Sequence, residues 1–275
     1  MFYSIKIPEV YEAIGYHAKT MKIEEGQLLF HDLYHRAHSS DVGFLARLRE
    51  NKWLNAGVKN AQELLVFSEY SRDQLTSVFP DSIEKIKLVK PYVEPDLKPN
   101  DENDRDAVRF EYTKGDAYFL YAGPIHSAAN LVNLLKGFSI FKKRLGSNMR
   151  LVLSGTLNKS ANRFLHELST YKYRDDVILT EKLSPEQEIK LMSSAYALVH
   201  PCRWDRFSMP VLMSMKLGVS VVVVDNSTHA ELSGMAGMFF QENDPLDIGE
   251  KLIRIYRDEQ MRTDMIGTGL ILANK

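Results

Sequence analysis

Val219-Ser-Val-Val-Val-Val224 decides the fold class of this chain. A run with almost no polar alternation cannot leave one face in water. It fits a strand covered on both faces, as in a parallel sheet between helix layers. Working outward, Tyr196-Ala-Leu-Val199, Val177-Ile-Leu179, Leu151-Val-Leu153 and Tyr118-Phe-Leu-Tyr-Ala122 are runs of the same kind. From residue 116 onward we count six short runs separated by helical stretches. Asn130 to Leu145 places Leu131, Leu134, Leu135, Phe138 and Phe141 at helical spacing. It closes on Lys142, Lys143 and Arg144 before Gly146, a sensible helix stop. A polar helical stretch follows over residues 160–170. Ser184-Pro-Glu-Gln187 reads as an N-cap, a proline at the first helical position and a capping-box partner, opening a helix to about Ser194. The expectation is a doubly wound α/β domain over residues 116–275.

The first part is less regular. Leu28-Leu-Phe30 reads as a strand ending at His31-Asp32, residues 43–61 as one helix, and Leu64-Leu-Val-Phe67 as a second strand. Ser71 to Val78 is helical. Lys85-Ile-Lys-Leu-Val89 alternates, so one of its faces is expected to be wet. PYVEPDLKPNDENDRD, from Pro91 to Asp106, is dense in proline and polar residues and is the best linker candidate. The domain expectation is therefore an N-terminal unit over 1–95, a linker over 96–115 and a C-terminal unit over 116–275.

Composition excludes several classes. The chain has 275 residues, 35 Lys+Arg against 36 Asp+Glu, and 44% hydrophobic residues. Split at residue 115, the charge is 16 − 19 = −3 before and 19 − 17 = +2 after, so neither part is a polyelectrolyte for nucleic acid. The single cysteine, Cys202, cannot form an internal disulfide, which fits a reducing compartment. Lys6, Glu9, Glu12, Lys19 and Lys22 interrupt the first residues, and no signal-peptide core or run of ~18 apolar residues occurs. A cytoplasmic protein is expected.

The order of motifs resembles that of family 4 (group 1) glycosyltransferases. The resemblance rests on Phe67-Ser-Glu-Tyr-Ser-Arg-Asp-Gln-Leu75, Lys85-Ile with Val89 and Pro91, Tyr121-Ala-Gly123, Asn130 with Leu134-Leu135, and Leu151-Val-Leu-Ser-Gly155. Its most specific stretch is Pro201-Cys-Arg-Trp-Asp-Arg-Phe-Ser-Met-Pro-Val-Leu-Met-Ser-Met215, followed by Gly218, Val219, Glu231 and Gly234. The resemblance implies two Rossmann-like domains facing across a cleft, the glycosyltransferase B-type arrangement, with the N-terminal one incomplete. It implies sugar transfer with retention from a nucleotide-diphosphate donor, which is a substrate, to a glycan or lipid-linked acceptor. No cofactor and no obligate metal are implied.

It also assigns roles. Asp205 would lie beside the donor sugar and His31 would face the reacting sugar. Gly123, His126, Asn130, Arg206, Phe207, Ser208, Met209 and Glu231 would line the donor site, with backbone amides holding phosphate at helix N-termini. Three family positions have lost their chemistry. Pro124 and Ala129 stand where the family has the Arg and Lys that stabilise the leaving diphosphate. Met213 stands where it has the carboxylate that takes two ribose hydroxyls. The alternative is therefore a non-catalytic homologue that partners an active glycosyltransferase.

Other groups have plain readings beside functional ones. His31 with Asp32 is an acceptor-side pair or an ordinary strand end. His31, His35 and His38 lack the further ligands and geometry that zinc requires. His126 is a partial substitute for a lost cation or a solvated loop residue. Glu231 is a donor ligand or a helix-capping carboxylate. Met209, Met213, Met215, Met235 and Met238 read as core filling. Arg47, Arg49, Lys52 and Lys59 with Trp53 make a basic helix, either a solvated face or a peripheral contact at the inner membrane surface.

Overall fold

The computed structural model describes residues 26–30, 33, 44–89, 93, 96–180, 183–202 and 209–274. Its first sheet is parallel, in the order β1 (Gln27–Leu29), β2 (Glu63–Val66), β3 (Ile86–Leu88). Parallel neighbours need crossovers. Helices α1 (Phe44–Asn60) and α2 (Glu69–Val78) lie in the chain between these strands. Leu28, Leu54, Val58, Leu64, Val66 and Leu75 form the core of this unit, and Trp53 packs against it. The tryptophan expected on a basic face is thus used in packing. The exposed large apolar residues among those described in α1 are Phe44, Leu45 and Leu48. On β3 the neighbours Lys87 and Leu88 are both exposed, and neighbouring strand residues point to opposite faces, so exposure does not alternate along this strand as expected.

Helix α3 (Glu102–Thr113) falls inside the stretch expected as linker. Asp101 caps it by accepting from the Asp104 amide, and Lys114 ends it in the left-handed conformation at φ 57°. Acidic Glu102 and Asp104 in the first turn suit the helix dipole. Only Val108 and Thr113 are buried, so its apolar periodicity is too thin to read.

The second sheet has six parallel strands in the order β6-β5-β4-β7-β8-β9. They are β4 (Tyr118–Ala122), β5 (Arg150–Ser154), β6 (Val177–Leu179), β7 (Ala197–His200), β8 (Ser220–Val224) and β9 (Gly237–Phe240). Helices α4 (Leu131–Leu145), α5 (Asn162–Ser169), α6 (Pro185–Ser193), α7 (Met209–Lys216), α8 (Thr228–Ser233), α9 (Pro245–Arg257) and α10 (Glu259–Ala273) complete it. The capping box at Ser184 and Gln187 forms as expected.

Successive strand residues enter opposite cores. Leu120, Val152, Leu198, Val221 and Val223 belong to one buried cluster, and Phe119, Leu151, Leu153, Val199, Val222 and Val224 to the other. That is why the run at 219–224 shows no polar alternation. The first cluster also takes in Leu29, Leu65 and Phe67, so the two sheets share buried apolar surface. Among the described residues no helix is long and apolar enough to cross a membrane.

Candidate functional site

The strand order reverses between β4 and β7. After β4 the chain adds β5 and β6 on one side, then returns to add β7, β8 and β9 on the other. Helices leaving neighbouring strands at such a point go to opposite faces. A crevice opens outside the carboxyl ends, where open α/β sheets bind ligands. Gly123 and Pro124 leave β4 into this crevice, and Pro201 and Cys202 leave β7.

The β4 side is held tightly. The Gly123 amide donates to Ser154 O at 2.9 Å and the Ile125 amide to Thr156 O at 2.9 Å. The pairing with β5 therefore continues past the strand end. Gly155, on the β5 side, has φ +146°, and a Cβ there would lie 1.9 Å from Gly123 O. Only glycine permits that approach. The Tyr121 hydroxyl donates to Pro124 O at 2.9 Å.

Asn130 ties the crevice together. Its Nδ2 donates to Pro201 O at 3.1 Å and to Glu242 O at 2.7 Å, and its Oδ1 accepts from Asn133 at 2.8 Å. It takes the left-handed conformation at φ 56°, which asparagine tolerates better than most residues. Its side chain thus joins the loops after β4, β7 and β9. Asn130→Gly should keep the backbone and lose the bonds, costing about 2–3 kcal/mol at roughly 1 kcal/mol each. Asn130→Ala should cost about 1 kcal/mol more for the left-handed residue. Urea unfolding of the two variants measures both. Equal midpoints would discard the conformational part.

His126 opens the Ser127–Ala129 turn, and its Nδ1 accepts from the Ala128 amide at 3.1 Å. Ala129 is fully buried, and Met209 and Met213 are 1% exposed within the shared apolar cluster. The methionine reading as core filling holds for Met209, Met213 and Met215, while Met235 is 90% exposed. Cys202 is buried. His31, His35, His38, Asp205, Arg206, Phe207 and Ser208 lie outside the described residues. Among the described residues no group of three His, Cys, Asp or Glu could hold a metal.

Glu231 is engaged elsewhere. One carboxylate oxygen accepts from the Glu69 amide at 2.7 Å, the other from the Tyr70 amide at 2.9 Å. Both amides belong to the first turn of α2.

The sequence reading missed Glu188. It is 3% exposed beneath the ends of β5 and β6. Its Oε2 accepts from Ser154 Oγ at 2.7 Å, and Thr180 Oγ1 donates to Ser154 Oγ at 3.1 Å. Among the described residues its Oε1 has no hydrogen-bond partner. Burial pushes the carboxyl up to about 7, and the Ser154 bond offsets this only in part. The available signal was spacing: Glu188, Leu191 and Met192 share one helix face.

Two parallel α/β sheets, the second with a switch point, define a Rossmann-like class of protein, and sequence comparison narrows it. Residues 103–269 match the family "Glycosyl transferases group 1", and the chain belongs to that family. It is 24% identical over 226 residues to O-antigen chain mannosyltransferase B of Escherichia coli, covering 82% of this chain and 59% of that one. The chain thus spans about three-fifths of that relative's length. WaaG, a glycosyltransferase involved in lipopolysaccharide biosynthesis, superposes with a TM-score of 0.74 at 17% identity, covering 91% of this chain and 70% of that one. Anabaena HepE, solved with UDP and glucose, gives 0.74 at 14% identity, covering 90% of this chain and 66% of that one. The resemblance read from the motifs and the two-Rossmann α/β fold class both hold.

Proposed function

We propose that this chain handles a nucleotide-diphosphate sugar at the β4/β7 crevice and passes the sugar, with retention, to a glycan or lipid-linked acceptor. The observation that carries the reading is the switch point itself. The N-terminus of α4 follows the crevice loop directly, and the chain leaves β7 beside it. Helix N-termini carry unpaired N–H groups and a favourable dipole, which suit a diphosphate. The mannosyltransferase relative and the UDP-bound HepE structure support this donor chemistry. Residues 1–95 form the acceptor side and residues 116–275 the donor side in this reading. His31, Asp205, Arg206, Phe207 and Ser208 keep their proposed places at the reacting sugar and donor.

A second reading has its own observation. Ala129 is fully buried and Met213 is 1% exposed, so two family positions that met a donor with charge are now apolar and packed. That favours a non-catalytic homologue working as a subunit beside an active glycosyltransferase. Titration calorimetry with UDP, GDP and their sugars separates the two. Micromolar binding, weakened at least tenfold by Asp205→Ala, is the result expected of a donor site. Absence of binding to the whole panel at millimolar concentration would sink the first reading and leave the second.

A further inference from the structure

We infer that Glu231 and Thr228 form an interdomain clasp on the N-terminus of α2, fixing the first sheet against the second. Glu231 is a positioning residue in this assignment, not a donor ligand. The first four amides of a helix have no intrahelical partner. Two of them on α2, those of Glu69 and Tyr70, are taken by the carboxylate of Glu231, 162 and 161 residues away in sequence. A carboxylate at a helix N-terminus gains charge-assisted bonds and the helix dipole together.

A second contact lies beside the first. The hydroxyls of Ser68, Ser71 and Thr228 lie 2.9–3.1 Å from one another. All three are buried, at 0%, 6% and 7% exposure. Ser68 also caps α2 by accepting from the Ser71 amide at 3.0 Å. On the other side, Ser227 caps α8 by accepting from the Ala230 amide. The clasp therefore joins two capped helix starts, one after β2 and one after β8. It brings the carboxyl ends of a strand from each sheet together.

The surroundings favour a fixed joint. Leu29, Leu65 and Phe67 of the first unit share a buried cluster with Met209 and Met213 of the second. Domains joined by small polar contacts move freely, whereas an apolar interface restrains them. Here the polar clasp gives direction to an interface that is partly apolar. Its consequence for transfer, resting on the proposed donor site, is that loosening it lowers kcat while nucleotide affinity changes little.

The test begins with amide exchange on the unliganded chain, so it does not depend on the proposed activity. Glu69 and Tyr70 should be protected although they stand in a first helical turn. In Glu231→Gln one amide loses its acceptor and faces an NH2 group, and exchange at these two sites should accelerate by about tenfold or more. Exchange at Val222 and Val223 in β8 should stay unchanged, which shows that the fold is intact. Thr228→Val should accelerate the same two amides while leaving the carboxylate in place. Unaltered exchange in Glu231→Gln would overturn the clasp. So would a tenfold loss of UDP or GDP affinity with the two amides still protected, because that marks a donor ligand. A chain that binds no nucleotide but shows the exchange effect would keep the clasp and discard the donor reading.

Discussion

Glu188→Gln is expected to leave stability almost unchanged at pH 4 and to raise it by about 3 kcal/mol at pH 8. The native carboxyl has an ordinary value of 4.5 and is pushed up to about 7 by burial in the fold. Each unit of such a shift corresponds to about 1.4 kcal/mol. The sign follows from linkage. The folded state holds its proton more tightly than the unfolded chain, so this group stabilises fully below about pH 4.5. That stabilisation disappears as pH rises through 7. Glutamine mimics the protonated acid at every pH and titrates nowhere. It keeps an oxygen for Ser154 Oγ, and its NH2 replaces an atom that lacks a partner among the described residues. Urea midpoints of both proteins between pH 4 and 8 give the difference directly. Parallel curves would show that Glu188 is not a buried acid in solution.

Gly155→Ala should cost several kcal/mol, against about 1 kcal/mol for Gly146→Ala. Both glycines have positive φ, +146° and +59°, so both substitutions carry backbone strain. They differ in space. At Gly146 nothing lies within 4 Å of an added Cβ, whereas at Gly155 the carbonyl oxygen of Gly123 would be 1.9 Å away. Relief requires parting the strand extensions that pair Ile125 with Leu157, which would open the β4 side of the crevice. Thermal unfolding of the two variants compares the costs. Equal losses would mean that the close approach contributes nothing.

The family motifs and the local elements were legible because each rests on neighbours in sequence. A parallel strand buried on both faces is a continuous apolar run, and Ser184 to Gln187 closes its capping box within four residues. The helix over 102–113 was not legible. It buries only Val108 and Thr113, and its signals, the Asp101 cap and the Lys114-Gly115 stop, sat in a polar run that reads as linker.

The candidate site divides the same way. Sequence alone determined that Pro124, Ala129 and Met213 carry no charge, because residue identity fixes the chemistry that a position can offer. The tertiary structure decided where charged and polar groups are engaged. Glu231 meets amides more than 160 residues away, and Asn130 bonds carbonyls 71 and 112 residues away. Glu188 becomes a weaker acid than an ordinary carboxyl only when helix α6 buries it beneath the strand ends. Hydrogen bonds and desolvation depend on distance and burial in space, and these arise only when the strands have found their order.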